Sequence, residues 1–278
     1  MQNNFFFQTK WHLVKTILFN TRLKDYKLFL SYAKEQRYEI LPLGEFYRLG
    51  NRRGGGKNHL VLRHDVDWPG ESTRRLFETE KSLGVRSTYY FRFSTIDKLL
   101  IDEMIEAGFE VGLHFETISD IIREQQLTDK NQLKMDYAFE RFREDIRRFE
   151  EITGHKILTC CSHGAPENVK LGISNNSLTE GTNLSDYGIQ FEAYDKDMYS
   201  KDVDCHIMDA TLLFNYGFSY VDTPISAVNH QYQNIIFLSH PNHWWKPMGF
   251  NERIKPLIFM LMGKATYYTG RQFKRISQ

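Results

Sequence analysis

The most constraining feature of this sequence is a regular alternation of short β-rich runs with amphipathic segments. The amphipathic segments carry apolar residues three and four positions apart and end in glycine, which predicts helices. Strand, helix and strand in succession predict a parallel sheet, and in a chain of 278 residues a closed or nearly closed α/β barrel. The predicted strands are HLVLRH (59–64), VRSTYYFR (85–92), FEVGLHF (109–115), KILTCCSH (156–163), YGIQFEAY (187–194), HIMDATLLF (206–214) and NIIFLSH (234–240), and the predicted helices are residues 70–84, 94–108 and 130–154.

Further segments flank the predicted barrel, which we place at residues 58–245. The pattern in residues 1–57 predicts an N-terminal helical cap, with helices at about 24–36 and 42–49, followed by a flexible glycine-rich linker. Residues 246–278 predict a basic C-terminal helical tail, since 253–278 contain six Lys or Arg and no Asp or Glu. This composition is typical of a terminal helix packed on the barrel. The alternative is a tail that makes peripheral contact with an anionic membrane.

Composition narrows the choice of partner and compartment. The chain has 36 basic and 35 acidic residues, so its balance of charge does not predict nucleic acid binding. Its three cysteines do not form a disulfide framework, and its N-terminus lacks the pattern of a signal peptide. We therefore expect a cytoplasmic protein, located at the inner face of the membrane if the tail binds lipid.

Four predicted strands end in residues that serve metal and acid–base chemistry. In α/β barrels the active site gathers at the carboxyl ends of the strands, so distant parts of the sequence converge there. One histidine after a strand is more often a hydrogen-bonded structural residue than a ligand, but four such endings favour a shared site. These endings are His64-Asp65-Val66-Asp67, His114-Phe115-Glu116, His163-Gly164 and His240-Pro241.

The first ending, RHDVD at 63–67, carries two carboxylates two residues apart. In extended backbone, Asp65 and Asp67 point to the same side of the strand. Like charges held this close repel each other, and a cation or a shared proton relieves the repulsion. The sequence therefore predicts a divalent metal site in the turn after this strand.

Five motifs in this order resemble the NodB-homology polysaccharide deacetylases, a group similar to carbohydrate esterase type 4, and in particular a divergent branch with HDVD. The resemblance covers roughly residues 58–245. It implies a distorted (β/α)7–8 barrel and metal-dependent hydrolysis that removes an acyl group, usually acetyl from an N-acetyl sugar. The motifs are RHDVD (63–67), STYYFR (87–92), GFEVGLHFET (108–117), CSHGAPEN (161–168) and FLSHPNHW (237–244).

The resemblance also implies roles for individual residues. Asp65 corresponds to the general base that takes a proton from the attacking water, and Asp67 to a metal ligand. His114 opens a motif that normally supplies two ligand histidines four residues apart. His240 corresponds to the late histidine that protonates the leaving amine.

This chain departs from the family at the second ligand histidine, because position 118 is Ile. Another side chain must then complete the metal shell. His163 is the first choice, since a histidine stands where better-known members have an arginine. Glu116 is the second choice because it lies two residues from His114, and His240 remains a third.

Other residues are candidates for substrate binding or for support of the site. Arg63 can pair with a site carboxylate or with a purely structural partner. Asp209, a charged residue in an apolar strand, predicts a buried partner close to the catalytic groups. Glu192 and Asp195 could bind sugar hydroxyls, although a solvated acidic loop is favoured. Aromatic platforms for a sugar ring, or alternatively rim packing, are predicted at Trp68, Tyr194, Trp244 and Trp245.

The leading hypothesis is a metal-dependent deacetylase that acts on an acylated sugar of a glycan precursor, nucleotide-linked or lipid-linked, in cell-surface polysaccharide biosynthesis. Zinc is the expected metal, although Asp and His ligands also accommodate cobalt, nickel, manganese and iron. Two alternatives stay open: a non-catalytic carbohydrate-binding or regulatory barrel, and a metal hydrolase of another amide or ester.

Overall fold

One nine-stranded sheet forms the centre of the molecule. The structure, a computed structural model, describes residues 22–49, 56–209, 218–220 and 224–245. The strands are β1 (Tyr38–Pro42), β2 (Asn58–Val66), β3 (Thr88–Phe91), β4 (Glu110–Phe115), β5 (Thr159–Ser162), β6 (Phe191–Glu192), β7 (Cys205–Asp209), β8 (Phe218–Tyr220) and β9 (Asn234–Ser239).

The strands lie in the order β6-β5-β4-β3-β2-β9-β7-β8, and β1 lies beside the first half of β2. Their pairings are parallel except for the antiparallel pair of β7 and β8. Parallel pairing places the carboxyl ends of β2, β4, β5 and β9 at the same edge of the sheet, which we call the mouth.

Helices connect the strands and cover the outer face of the sheet. The first helix packs against the third and ninth, and the last helix packs against the third and against β2. The helices are α1 (Leu23–Glu35), α2 (Leu43–Arg48), α3 (Glu71–Ser82), α4 (Lys98–Glu106), α5 (Thr117–Glu124), α6 (Met135–Thr153), α7 (Pro166–Leu171), α8 (Lys196–Asp202), α9 (Pro224–Asn229) and α10 (Pro241–Trp244).

Alternation along the strands separates two apolar cores. On β2, Leu60 and Leu62 belong to the large core under the outer helices, and Val61 belongs to a smaller core inside the sheet. The inner space is tightly filled at Gly112 of β4, where a Cβ would lie 2.5 Å from a backbone oxygen of β5 and 2.6 Å from the Tyr90 ring. Only glycine fits at this position without displacing its neighbours.

The sheet curls into a partial barrel around this inner space. The side chain of Arg63 on β2 donates from Nη1 to the carbonyl of Ala193, directly after β6, at 3.2 Å. In a flat sheet the backbones of these strands would lie about 19 Å apart, which no arginine side chain can span. The predicted distorted barrel of parallel strands with flanking helices is confirmed.

Each strand predicted from the sequence has a counterpart in the described chain, and the predicted helices correspond to α3, α4 and α6. Sequence analysis missed β1, which joins the sheet between the two predicted N-terminal helices, and α5, which follows β4. It also missed β8 and the short helices α7 to α10 in the later part of the chain. Residues 210–214 of the predicted seventh strand, most of the linker and the tail at 246–278 lie outside the described residues. The domain boundaries at 57 and 245 therefore stay predictions.

No helix among the described residues is long and apolar enough to cross a membrane. The prediction that the tail at 253–278 contacts a membrane falls on residues that the structure does not describe.

Candidate metal centre

Asp67 lies at the mouth directly after β2, and three imidazoles direct the same nitrogen, Nε2, toward it. Nε2 of His114 and Nε2 of His163 each lie 3.5 Å from Oδ1 of Asp67. Nε2 of His240 lies 3.7 Å from Oδ2 of the same carboxylate. Side chains almost two hundred residues apart in sequence therefore meet at one carboxylate.

Two of these imidazoles have their other nitrogen committed to an acceptor. His114 donates from Nδ1 to the carbonyl oxygen of Cys161 at 3.0 Å, and a carbonyl cannot donate in return. His240 contacts Oδ1 of Asp209 through Nδ1 at 2.7 Å. In the neutral form of each ring the proton therefore lies on Nδ1, which leaves Nε2 to bind either a proton or a metal ion on the side of Asp67.

His163 is backed by a carboxylate. Its Nδ1 lies 3.1 Å from Oε1 of Glu116, an ion-pair contact whose angle is outside that of a hydrogen bond. Arg92 donates from Nε and Nη2 to the two oxygens of Glu116, at 2.7 and 2.8 Å, and from Nη1 to the carbonyl of Asp67 at 3.1 Å. Burial would raise the pKa of Glu116, but His163 and Arg92 lower it to about 2.

The charges at Asp67 fit a cation. Within the described residues, Oδ1 of Asp67 is buried and has no hydrogen-bond donor. Burial would raise the pKa of this carboxyl, but contacts with His114 and His240 hold it well below its usual range. Imidazole lone pairs that face a carboxylate repel it unless each ring is protonated or a metal ion lies between them. Ligand atoms of Asp67, His114 and His163 lie within 4.8 Å of one another, so these three could hold one metal ion.

Asp65 lies beside this group on the inner face of β2. Arg63 donates to both of its oxygens, from Nε at 3.0 Å and from Nη2 at 2.9 Å, and Nε2 of His114 is 3.6 Å from Oδ2. Burial would raise the pKa of Asp65, but Arg63 and then His114 lower it. The carboxylate is therefore ionised although only 3% of the residue is exposed.

Asp209, at the end of β7, contacts hydrogen-bond donors of the segment that follows β9. It accepts from the backbone N–H of His240 at 2.9 Å and from the indole Nε1 of Trp244 at 3.1 Å, and Nδ1 of His243 lies 3.2 Å away. Burial would lower the pKa of His240, but Asp209 raises it to about 9, with Asp67 adding to the effect. The His240 ring is therefore protonated at neutral pH. Asp209 is thus buried against His240, His243 and Trp244, and its support of a catalytic group stays a prediction.

The structure changes the interpretation of several predicted residues. Trp244 is 2% exposed and supports Asp209, so it is not a sugar platform. The guanidinium carbon of Arg63 lies 4.0 Å from the centroid of the Tyr194 ring, so this face of the ring packs on Arg63. Glu192 does not lie in a solvated loop: it is buried and accepts from the backbone N–H groups of Ser162 and Tyr194, at 2.9 and 2.6 Å.

Trp68 remains available at the mouth, since 65% of its surface is exposed directly after Asp67. Asp195 accepts from the backbone N–H of Met198 at 2.7 Å and caps α8. Glu116 lies behind His163 and has both oxygens engaged by Arg92, whereas the ligand atoms that lie within 4.8 Å of one another belong to Asp67, His114 and His163.

His64 lies on the opposite face of β2 from Asp65. Its ring is fully buried, with Nε2 at 2.7 Å from Oε1 of Glu80 and Nδ1 at 2.7 Å from Oγ of Ser239. Successive residues of a strand point to opposite faces, so His64 cannot share the site of its neighbours. Its place in the first motif therefore does not make it a candidate ligand.

Ile118, in place of the second family histidine, is fully buried in the outer core at the start of α5. Its side chain therefore does not face Asp67. His163 lies across the mouth from this helix start, with Nε2 3.5 Å from Oδ1 of Asp67.

Sequence analysis missed Arg92 and His243 as members of the site. Both lie in segments that carry family motifs, and Arg92 follows the last residue of β3 at the mouth. A charged residue directly after a buried strand was the signal that could have identified Arg92. Nothing in the pattern indicated which carboxylate it would bind.

Structure comparison finds proteins of the family that the sequence motifs resemble. The catalytic domain of a peptidoglycan N-acetylglucosamine deacetylase from Eubacterium rectale matches at 15% identity over 84% of this chain and 96% of that chain, with a TM-score of 0.44. A family 4 carbohydrate esterase from Streptomyces lividans matches at 18% identity over 75% of this chain and 90% of that chain, with a TM-score of 0.40.

A CE4 family pseudoenzyme from Bacillus anthracis matches at 16% identity over 76% of this chain, with a TM-score of 0.40. The match spans just under two thirds, 63%, of the length of that protein. No protein-family model and no curated protein matches the sequence. The evidence for function therefore lies in this chain's own residues.

Proposed function

We propose that this protein is a metal-dependent hydrolase that removes an acyl group, N-acetyl in the first place, from a sugar of a glycan precursor. The observation that carries the proposal is the convergence of three Nε2 atoms on Asp67 beside the buried carboxylate of Asp65. The motifs shared with the deacetylase family support the same chemistry.

Asp67, His114 and His163 would hold the metal ion, which we expect to be zinc, with cobalt, nickel, manganese and iron as alternatives. Such an ion lowers the pKa of water and polarises the acyl carbonyl. Cys161 O and Glu116 orient the two imidazoles from behind, as supporting acceptors do in other metal sites.

Asp65 is the proposed general base. Arg63 holds both of its oxygens, fixes the carboxylate at the mouth and keeps it ionised. When water attacks the acyl carbon, one proton of that water passes to Asp65 and the hydroxyl forms the new C–O bond.

His240 is the proposed general acid. It approaches Oδ2 of Asp67, whereas His114 and His163 approach Oδ1, so it lies apart from the ligand pair. Its protonated Nε2 gives a proton to the departing nitrogen as the C–N bond breaks, which releases a free amine and a carboxylic acid.

The substrate class is proposed to be an acylated sugar. Trp68 offers an exposed aromatic face next to Asp67, on which a sugar ring could pack. Attachment of the sugar to a lipid, and contact of residues 253–278 with the membrane, are further parts of the proposal that the described residues do not reach.

The test compares wild-type protein with Asp67→Ala and Asp65→Asn. We expect wild type to take up one metal ion per chain and to release acid from acylated sugars. Asp67→Ala should lose metal uptake, whereas Asp65→Asn should keep the metal and lose turnover. Asp197→Ala, a change at an exposed side chain of α8, is the matched control for loss of a carboxylate.

Metal content is measured by elemental analysis, and released acetate or formate by an enzyme-coupled assay on a panel of N- and O-acylated sugars. A wild-type protein that binds sugar but takes up no metal would contradict the hydrolase and favour the non-catalytic carbohydrate-binding barrel. Release of acid only from substrates other than sugars would make the chain a hydrolase of another amide or ester.

A further inference from the structure

A buried amide connects the two segments that carry Glu116 and His163. Asn175 lies in the 3-10 turn Asn175–Leu178 and is fully buried. Its Oδ1 accepts from the backbone N–H groups of Ile118 at 2.8 Å and Ser119 at 3.2 Å, at the start of α5. The first N–H groups of a helix have no partner within the helix, so this oxygen satisfies two of them.

The other end of the same amide holds the loop after β5. Nδ2 of Asn175 donates to the carbonyl of His163 at 2.7 Å and lies 3.1 Å from Oδ1 of Asn168. Asn168 in turn accepts from the N–H of Ala165 at 3.0 Å, so the turn that follows His163 is included in the network.

Both backbone polar groups of His163 are therefore fixed to the segment that leaves β4. The N–H of His163 donates to the carbonyl of Phe115 at 3.0 Å, and its C=O accepts from Asn175, which also binds Ile118. With the backbone held on both sides, the imidazole reaches Glu116 and Asp67 in one orientation.

This arrangement matters because metal ligands tolerate little displacement. Ligand distances hold to within about 0.2 Å, and a donor on a loose loop gives a weaker site. At position 118 the side chain faces the apolar core, but the backbone N–H binds the amide that fixes His163. The start of α5 lacks a histidine at position 118, but its backbone N–H helps to position His163, which is the proposed replacement ligand.

We propose that Asn175 is a positioning residue that fixes His163 as the third metal donor. The inference rests on the proposed metal centre at Asp67 and deepens it. Asn175 acts through His163 and does not contact the metal, so its contribution should vanish when the His163 ring is absent.

The test is Asn175→Asp. The variant keeps an oxygen for Ile118 and Ser119 but places a second oxygen against the carbonyl of His163, where the amide donated. Loss of a supporting partner typically weakens metal binding by about 10- to 100-fold, and we expect a loss in this range. Zinc affinity is measured by competition with a chromophoric chelator, and cobalt substitution reports ligand geometry through its visible spectrum.

Two comparisons separate positioning from general stabilisation. Asn234→Asp changes an equally buried asparagine at the amino end of β9, away from the mouth, and should leave zinc affinity unchanged. In a His163→Ala background, Asn175→Asp should cause no further loss of affinity, because residues that act through one group are not additive. Equal losses in both backgrounds would overturn the proposal.

Wild-type affinity for zinc decides the parent proposal separately. If wild type binds no metal, the metal centre fails; if wild type binds metal and Asn175→Asp binds it equally, only the role of Asn175 fails. If Asn175→Asp does not fold, amide hydrogen exchange in wild type replaces it. Zinc should then slow exchange at Ile118 and Ser119, and an unchanged rate at both would contradict the coupling.

Discussion

Two clusters of histidine and carboxylate lie back to back on β2, one on each face of the strand. On the outer face, Glu80 accepts hydrogen bonds from His64, Tyr26, Ser87 and Tyr89, and His64 also contacts Ser239. All six residues are fully buried. Burial would raise the pKa of Glu80, but its contact with His64 and the hydrogen bonds from the tyrosines lower it.

The inner cluster, centred on Asp67, uses the same residue types with a different outcome. His114 and His240 hydrogen-bond through Nδ1, Nδ1 of His163 lies 3.1 Å from Glu116, and all three rings direct Nε2 at one carboxylate. Oδ1 of Asp67 is buried and, among the residues that the structure describes, receives no hydrogen bond.

The contrast shows how a structural histidine differs from the histidines that we propose as ligands. In the outer cluster each ring nitrogen of His64 faces a protein partner, so the network is complete without a ligand. In the inner cluster the three Nε2 atoms lie 3.5–3.7 Å from Asp67, and a metal ion could bind between them. Buried polar atoms without partners are rare in folded proteins, and Oδ1 of Asp67, which two of the rings approach, is one of them among the described residues. Experiments can test whether the outer cluster contributes to stability and the inner cluster to metal binding.

The largest expected effect is on stability, from Glu80→Ala in the outer cluster. Removing Glu80 leaves buried donors of His64, Ser87 and the two tyrosines without their acceptor, and each unsatisfied buried donor typically costs about 1–3 kcal/mol in the free energy of unfolding. Urea denaturation measures this loss, while zinc affinity of the folded variant should equal that of wild type. Glu78→Ala, at an exposed position of the same helix, should change stability by less than about 0.5 kcal/mol. A large loss of zinc affinity in Glu80→Ala would show that the outer cluster also contributes to metal binding.

Glu116→Gln tests the inner cluster through its support of His163. We expect zinc affinity to fall by about 10- to 100-fold, because the carboxylate that orients the ring is replaced by a neutral amide. Chelator competition measures the affinity, and thermal unfolding without metal should change little. Glu167→Gln, a partly exposed glutamate of α7 that pairs with Arg123, is the control. Unchanged affinity in Glu116→Gln would remove Glu116 from the site.

Asp209→Asn tests the proton on His240. Burial would lower the His240 pKa, but Asp209, with Asp67 and Asp65 adding to its effect, raises it to about 9, so activity should persist up to about pH 9 in wild type and decline above it. In the variant the alkaline decline should move to lower pH, and a full return to about pH 6.5 would lower activity at pH 8 by about 30-fold. Below both pKa values the two proteins should agree. A pH–rate profile measures the shift, and an unmoved alkaline limb would argue against His240 as the acid.

Trp68→Ala should have the smallest effect. The side chain is 65% exposed, so stability should change by less than about 0.5 kcal/mol. Loss of an aromatic contact with the sugar should raise KM by about 2- to 10-fold without changing zinc affinity. Steady-state kinetics beside Leu99→Ala, a change at another exposed apolar residue, measures this difference. Equal KM values would place the sugar elsewhere.

Much of this architecture follows from local sequence. The alternation of strand and helix predicted the parallel sheet, and the two-residue spacing of Asp65 and Asp67 placed both near His114. The same spacing rule separates His64 from Asp65, because adjacent strand residues face opposite sides. β1 escaped prediction because it is a short strand between two helices, and its pairing partner is β2.

Local patterns could not decide which donors complete the site. Glu116 and His163 were both candidates, and only the contact of Arg92 with both oxygens of Glu116 shows that this carboxylate supports the ring. Trp244 and Trp68 are both tryptophans next to motif residues, but one is buried on Asp209 and the other is exposed. Their difference depends on neighbours from other strands.

The sequence by itself determined the alternation of strand and helix in the barrel, the edge at which the motifs gather and the pair of carboxylates at the end of β2, because these follow from periodicity and parallel pairing. Tertiary structure decided which nitrogen of each histidine is committed, which carboxylate is paired with arginine and which amide holds His163. Those outcomes depend on distances of 3–4 Å between residues far apart in the chain, and curvature of the sheet sets those distances.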